Sequence, residues 1–324
     1  MTTGAVDSES SASCICPVID IVRNLRREFD FLEYYSGKDM SWKDWRNIYM
    51  GDILKNTTRG VSLIPWNDKI WLLEWFKTRG IATVPIIHVS KFDHSVISHI
   101  TGLSDYVVKP SHTSSSMFMW IVKDGRAATV AQSSKWNGVG SVAQRGAVVR
   151  PQEIEASMKI AWSTHTSHED WPRNNVPPGL IIEKLLPDNT ELKYSVAWGK
   201  VVGFLVDGNS ERYFTNNGLK ADGHSVRFLR NGMPEKVGSD IKPPFWWERG
   251  LYLAERVAHI AMCDHVRVDL YYFNGEPILN EFTWNPGGEA QDQMDGLVAK
   301  TLDIGYEMHR DNASICPCGA IPTL

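Results

Sequence analysis

Two short segments toward the C-terminal end carry the side chains with the clearest chemistry. In Val266-Arg267-Val268-Asp269-Leu270 the two-residue period of a strand puts Val266, Val268 and Leu270 on one face and Arg267 and Asp269 on the other. In Leu279-Asn280-Glu281-Phe282-Thr283, Glu281 and Thr283 share a face. The segments flank Asn274-Gly275, the dipeptide of a tight hairpin turn. Carboxylates brought together on paired strands repel unless a cation lies between them, and one or two carboxylates plus phosphate oxygens are what Mg2+ uses. Register decides whether this pair forms. A two-residue turn with unbroken pairing sets Asp269 against Asn280 and turns Glu281 to the opposite face. A three-residue loop, Asn274 to Glu276, or a bulge sets Asp269 against Glu281. A solvated polar face on an amphipathic hairpin is the alternative.

Three further segments bear charges at places where a nucleotide could be held. Tyr106-Val107-Val108-Lys109-Pro110 reads as a buried strand that delivers a lysine, followed by the hydroxyl-rich run Ser111-His112-Thr113-Ser114-Ser115-Ser116. Such a run offers hydroxyls and backbone N–H groups to phosphate, with Lys109 as the charge partner. It contains no glycine, so it is not a P-loop; a Ser-rich surface turn is the alternative. Ile181-Ile182-Glu183-Lys184-Leu185-Leu186 is an apolar strand running into charge, with Glu191 and Lys193 beyond it. An edge of this kind can read an adenine base, and an acid a few residues later can accept ribose hydroxyls; a solvated charge pair on an edge strand is the alternative. In Trp66-Asn67-Asp68-Lys69, Asp68 suits a helix N-cap, while Lys69 in the first turn opposes the helix dipole.

The elements that must position these side chains can be read from periodicity. Helices are expected over Lys69–Arg79, ended by Gly80, over Gln152–Trp162 and over Trp246–Cys263, where Leu253, Val257, Ile260 and Ala261 form one face. Strands are expected over Ala82–Val89, Asp105–Val108, Met117–Lys123 before the turn Asp124-Gly125, Leu180–Leu185, Leu192–Trp198, Lys200–Asp207, His265–Phe273 and Pro277–Thr283. Residues 170–179 and 212–244 are rich in Pro, Asn and Gly and read as loops. The stretch from Val18 to Thr58 reads as mostly helical, and 1–16 as a loose polar tail. Hairpins lie between helices without a clean βα rhythm, which favours an α+β architecture of stacked subdomains.

Composition bounds the rest. The chain has 324 residues and a formal net charge of −4, with 22% charged and 43% hydrophobic residues, the balance of an ordinary globular protein. That charge exerts no long-range pull on nucleic acid or anionic membrane. No apolar run reaches the roughly 18 residues of a membrane span, and the polar N-terminus lacks the pattern of a secretory signal, so a cytoplasmic location is expected. The five cysteines comprise two Cys-x-Cys pairs, Cys14/Cys16 and Cys316/Cys318, and Cys263, which read as free thiols. The 13 tryptophans are in excess; Trp66, Trp246, Trp247 and Trp284 adjoin the segments above and are expected to line a cleft, the others to pack.

Taken in order, these segments resemble the ATP-grasp superfamily. D-alanine–D-alanine ligases are similar in motif order, and the nearest resemblance is to the teichuronopeptide-biosynthesis (TupA-like) branch, in Asp68-Lys69, Lys193, Arg267-Val268-Asp269-Leu270-Tyr271 and Glu281-Phe282-Thr283 followed by Asn285-Pro286-Gly287-Gly288. The resemblance runs from about Trp66 to about Tyr306. It implies an α+β, ATP-grasp-like fold: two α+β subdomains gripping ATP and a smaller N-terminal α/β subdomain, divided as 17–104, a lid over 105–190, and 191–324 with the metal-site hairpin. It implies ATP and Mg2+ as cofactors. Lys69, Lys109, Ser115 and Ser116 would meet phosphates; Glu183, Lys184 and Leu186 would meet adenine; Glu191 would bind the ribose, and Lys193 would be a further cofactor-binding residue. Asp269, Glu281 and Thr283 would hold metal, and Arg267 with Lys109 would stabilise the transferring phosphoryl group.

The implied reaction is ATP-dependent carboxylate–amine ligation through an acylphosphate, on small-molecule amino-acid or uronic-acid substrates, with no nucleic-acid partner. A small-molecule kinase and a nucleotide-binding module without turnover are the alternatives. Thr283 stands where most superfamily members carry Asn, which weakens a second metal position. The phosphate loop has hydroxyl residues where glycines are usual.

Overall fold

A computed structural model of the chain describes residues 64–91, 93–113, 117–130, 146–163, 174–187, 190–207, 212–215, 244–261 and 265–283. The chain divides into two units, Met1–Lys38 and Asp39–Leu324, and every described residue lies in the second. In chain order the elements are α1 (Lys69–Lys77), β1 (Ile86–Ser90), α2 (Ile97–Ile100), β2 (Tyr106–Pro110), β3 (Trp120–Lys123), β4 (Arg126–Val130), α3 (Pro151–Trp162), β5 (Leu180–Lys184), β6 (Glu191–Ala197), β7 (Lys200–Asp207), β8 (Arg212–Thr215), α4 (Trp247–Ala261), β9 (His265–Phe273) and β10 (Glu276–Thr283). The strands form two five-stranded sheets, ordered β1-β5-β2-β3-β4 and β10-β9-β6-β7-β8. Every neighbouring pair in both is antiparallel. The architecture is α+β, as the alternation of hairpins and helices leads one to expect.

Local chemistry accounts for the main helices. Asp68 caps α1, its Oδ1 accepting from the backbone N–H groups of Ile70 and Trp71 at 2.9 and 3.4 Å. Ile70, Leu72, Leu73 and Phe76 make the buried stripe. The helix ends at Lys77, two residues before the expected Arg79, because Thr78–Gly80 form a turn that Gly80 closes at φ +73°. In α4, Gly250, Leu251, Ala254, Val257, Ala258 and Ala261 face inward and cover β6, β7, β9 and β10. α3 opens on Pro151, as first-turn prolines favour, and packs on β2 and α2.

Two cores follow. One, including Val108, Trp120, Val122, Ile154, Met158 and Leu180, fills one face of the first sheet beneath α3. The other gathers Ile70 and Leu73 of α1, Ile181 of β5, Leu186, and Ile278 of β10, with Tyr271 and Phe273 packed against it, and so ties the two sheets together. Among the described residues no helix is long and apolar enough to cross a membrane.

Three expectations need correction. The strand expected over Ala82–Val89 is split. Thr83 bridges Leu279 in parallel, with Val84 N–H donating to Leu279 O at 3.0 Å and Leu279 N–H to Ala82 O at 2.8 Å, and only Ile86–Ser90 joins the first sheet. Pro85, which lacks an N–H, stands at the changeover. The start of the stretch expected to be loop over 212–244 is the strand β8, and β4 has no counterpart among the expected strands. Trp66 and Trp246 are core residues. Trp66 meets Trp71 and Trp75 edge-on at 5.5 and 5.3 Å and Phe282 at 5.6 Å; Trp246 stacks on Tyr272 at 5.6 Å and Trp247 on Phe204 at 5.7 Å. Trp284, the cysteines and residues 1–63 lie outside the described residues.

Candidate active site

The β9–β10 hairpin is built on a two-residue Asn274-Gly275 turn, with both residues at positive φ, 51° and 87°. Pairing runs Glu276↔Phe273, Pro277↔Tyr272, Ile278↔Tyr271 and Leu279↔Leu270, and then slips: the next pair is Glu281↔Asp269, followed by Phe282↔Val268 and Thr283↔Arg267. Asn280 is therefore the extra residue of a β-bulge. Turn and bulge together resolve the choice of register. The short turn alone would send Glu281 away, and the bulge returns it to the face of Asp269.

That face collects charge. Arg267 and Asp269 form a fork, Nε–Oδ1 2.7 Å and Nη2–Oδ2 2.8 Å, and Arg267 Nη2 also donates to Thr283 Oγ1 at 3.4 Å. Lys69, at the start of α1, lies 3.7 Å from Glu281 Oε1 and donates to the carbonyl of Thr113 at 2.5 Å. Lys193 is paired in register with Asp269 across β6 and β9, and its Nζ is 3.2 Å from Glu191 Oε2. Asn280 Nδ2 donates to Glu191 Oε1 at 2.5 Å. On the first sheet Lys109 Nζ sits 2.8 Å from Glu183 Oε1, both largely buried. Lys184 is exposed, its ammonium 5.6 Å from the Phe273 ring, and Leu186 is buried in the core shared by the two sheets.

Each of the four carboxylates thus faces a cation: Glu183 with Lys109, Glu191 with Lys193, Asp269 with Arg267, and Glu281 with Lys69. Burial makes the surplus or loss of one partner expensive. The electrostatics record this crowding. Burial, with Asp269 and Glu281 adding to it, lifts the Glu191 carboxyl to about 7 against the pull of Lys193 and Asn280. Burial raises Asp269 too, with Glu281 adding to it, although Arg267 pulls the other way. Burial opposes the charge on Lys109, but Glu183, Glu281 and Glu191 outweigh it and hold the ammonium above its ordinary value. Burial also acts against Arg267, and Asp269 overcomes it in the same way. Tyr271, half-buried against the shared core, is pushed far up by burial first and by the nearby Glu191, Glu183, Asp269 and Glu281 in addition.

The donor set fits a hard dication. Among the described residues no group of three or more His, Cys, Asp or Glu forms a metal cage. Two facing carboxylates, Asp269 and Glu281, are what Mg2+ takes from a protein when phosphate and water supply the rest. The structure brings Lys69, Lys109, Glu183, Glu191, Lys193, Arg267, Asp269, Glu281 and Thr283 to the facing parts of the two sheets. Ser115 and Ser116 lie outside the described residues. Motif and spacing assign no role to Asn280, Tyr271 or the Thr113 carbonyl. A polar residue in the middle of an alternating strand is the signal that marks Asn280; a backbone carbonyl leaves none.

No protein-family model matches the sequence, and no curated protein does. Among solved structures the chain is similar to the ATP-grasp ligase PsnB complexed with minimal precursor, at 11% identity over 76% of this chain and 61% of that one, TM-score 0.36. It is similar to D-alanine–D-alanine ligase from Helicobacter pylori at 12% identity over 72% of this chain and 60% of that one, TM-score 0.39. It is also similar to D-alanine–D-alanine ligase from Bacillus anthracis at 16% identity over 78% of this chain and 69% of that one, TM-score 0.43. The chain spans about three fifths of the length of the first two, 61% and 60%.

Proposed function

We propose that the chain is an ATP-grasp enzyme, of the TupA-like kind, that couples ATP cleavage to the joining of a carboxylate and an amine. The observation that carries this reading is the bulged hairpin, where Asp269 faces Glu281 and each is bordered by a cation, Arg267 and Lys69. A magnesium–nucleotide complex brings both a dication for the acids and an anion for the bases.

In the first step an oxygen of the substrate carboxylate attacks the γ-phosphorus, the bond to the β-phosphate oxygen breaks, and ADP leaves with an acylphosphate formed. In the second the amine nitrogen attacks the acyl carbon, phosphate departs, and the amine proton is lost, leaving an amide. The protein's part is positioning and charge neutralisation. Lys69 and Lys109, with the hydroxyls of Ser115 and Ser116, hold phosphates. Arg267 neutralises charge on the transferring phosphoryl group. Glu183, Lys184 and the backbone of Leu186 meet the base, and Glu191 with Lys193 meets the ribose. Mg2+ would be held by Asp269 and Glu281, with Thr283 beside them, and would offset charge on the β- and γ-phosphates. Residues 105–190 form the lid that excludes water from the acylphosphate, between an N-terminal part over 17–104 and the hairpin-bearing part over 191–324. The substrates in this reading are an amino-acid or uronic-acid carboxylate and a small amine, met in the cytoplasm.

The test is ADP release from Mg-ATP over a panel of carboxylates, with and without amines, and product identification by mass. Carboxylate-dependent ADP release with an amide product is expected. A stable phosphorylated alcohol, or ATP binding with no ADP from any substrate, would overturn the ligase reading.

A further inference from the structure

Asn280 does two things at once. As the bulged residue it lets Glu281 face Asp269. Its side chain then reaches across to β6, where Nδ2 donates to Glu191 Oε1 at 2.5 Å, while Lys193 Nζ stands 3.2 Å from Oε2 of the same carboxylate. Glu191 is clamped from two sides, with one donor for each oxygen. A carboxylate oxygen offers about two acceptor directions. One on each oxygen therefore remains for an incoming ligand, and two neighbouring acceptors match the two O–H donors of a vicinal diol. A charged clamp in place of Asn280 would disturb the balance of four acids and four bases around it; a neutral amide fixes the rotamer and leaves the charge unchanged.

We propose that Asn280 is a positioning residue that presents Glu191 to a vicinal diol, so that the bulge which aligns the metal-binding acids also sets the enzyme's selectivity for the ribose of a ribonucleoside triphosphate over its deoxy forms. This rests on the nucleotide site described above. Hydrogen bonds to a charged acceptor are the stronger kind, so the orientation of one carboxylate is worth about a tenfold difference in affinity between diol and non-diol ligands. A glycine at this position preserves the bulge and removes only the clamp, which separates the two roles of the residue.

The experiment is calorimetric titration of the full chain, at a pH above the value of about 7 to which the Glu191 carboxyl is lifted, with ATP and with 2′,3′-dideoxy-ATP, both with Mg2+, for wild type, Asn280→Ala, Asn280→Gly, Glu191→Gln and the Asn280→Ala/Glu191→Gln double variant. Far-UV circular dichroism checks each fold. Wild type is expected to prefer ATP by about tenfold. In Asn280→Ala and Asn280→Gly the preference is expected to fall below about threefold through weaker ATP binding, with dideoxy-ATP affinity kept. Adding Asn280→Ala to Glu191→Gln should cost nothing further, because the two act through one carboxylate. Unchanged selectivity in the folded glycine variant, or equal losses for both nucleotides, overturns the proposal and leaves the nucleotide site standing. Absence of nucleotide binding by wild type overturns both.

Discussion

Arg267 and Asp269 stand two residues apart on one strand, and the guanidinium of the first meets both oxygens of the second, at 2.7 and 2.8 Å. Only the period of a strand permits this, since residues i and i+2 share a face there and do not on a helix. The fork keeps the arginine rigid beside Asp269, which is fully buried.

Replacing Asp269 by Asn keeps the shape and one hydrogen-bonding oxygen but removes the charge. ADP formation in Asp269→Asn is expected to fall by at least about a hundredfold, with the far-UV spectrum unchanged. An active variant would count against Asp269 as a metal ligand.

Lys109 and Glu183 are 2.8 Å apart and buried. Lys109→Met strands the carboxylate and is expected to lower stability by about 3 kcal/mol. Lys109→Met with Glu183→Gln removes both charges and should recover most of that loss in a urea titration, while ADP release stays absent. Recovery of turnover together with stability would reduce the pair to a structural one.

Lys69 joins three parts of the fold: its own helix, the Thr113 carbonyl at the start of the hydroxyl-rich loop, and Glu281. Lys69→Met is expected to weaken Mg-ATP binding by about tenfold, read by calorimetry. Binding at wild-type strength would show that the lysine serves only to tie the loop.

His265, the first residue of β9, is buried, and burial with the nearby Arg267 lowers it from 6.5 to about 3. The unfolded chain takes up a proton near pH 6.5 that the folded chain refuses until about pH 3. The unfolded state binds more protons across that window, so stability contributed by the neutral ring is complete above it and is lost as pH falls through it, by on the order of a few kcal/mol. The acid limb of stability against pH in His265→Gln should be flatter than in wild type; parallel limbs would refute the assignment.

Gly250 lies on α4 where a Cβ would strike the Tyr194 hydroxyl, which itself donates to the Trp247 carbonyl at 2.7 Å. Gly250→Ala is expected to cost about 1–3 kcal/mol, and Tyr194→Phe in the same chain should relieve part of it. Thermal melts of the single and double variants decide the point.

Much of the fold and of the site is legible in the order of residues alone. Asp68 announces the start of α1, the alternation in Val266–Leu270 separates core from site, and the hydroxyl run after Lys109 marks a loop. The elements that escape such reading do so for physical causes. β4 is Arg-Ala-Ala-Thr-Val, without a clear two-residue alternation, and β8 is four residues embedded in a Gly- and Asn-rich stretch. The division of 82–90 between two partners turns on which edges are left free, and no local pattern records that. Trp66 neighbours the site in sequence, yet its ring is spent on Trp71, Trp75 and Phe282.

By itself the sequence determined which residues of a strand share a face, where α1 begins, and which charges have an apolar strand behind them, because side-chain period and capping are properties of a few neighbouring residues; on α4 the buried face is Gly250, Leu251, Ala254, Val257, Ala258 and Ala261, and the expected Leu253 and Ile260 are half-buried. Tertiary structure decided the rest. The register of Glu281 depends on a single extra residue, Asn280, and a slip of one reverses every side chain. The partner of Asn280 is Glu191, 89 positions away. Pairings of that range are chosen by which strands come to flank β9 in the sheet, here β10 and β6, and only the folded chain contains that information.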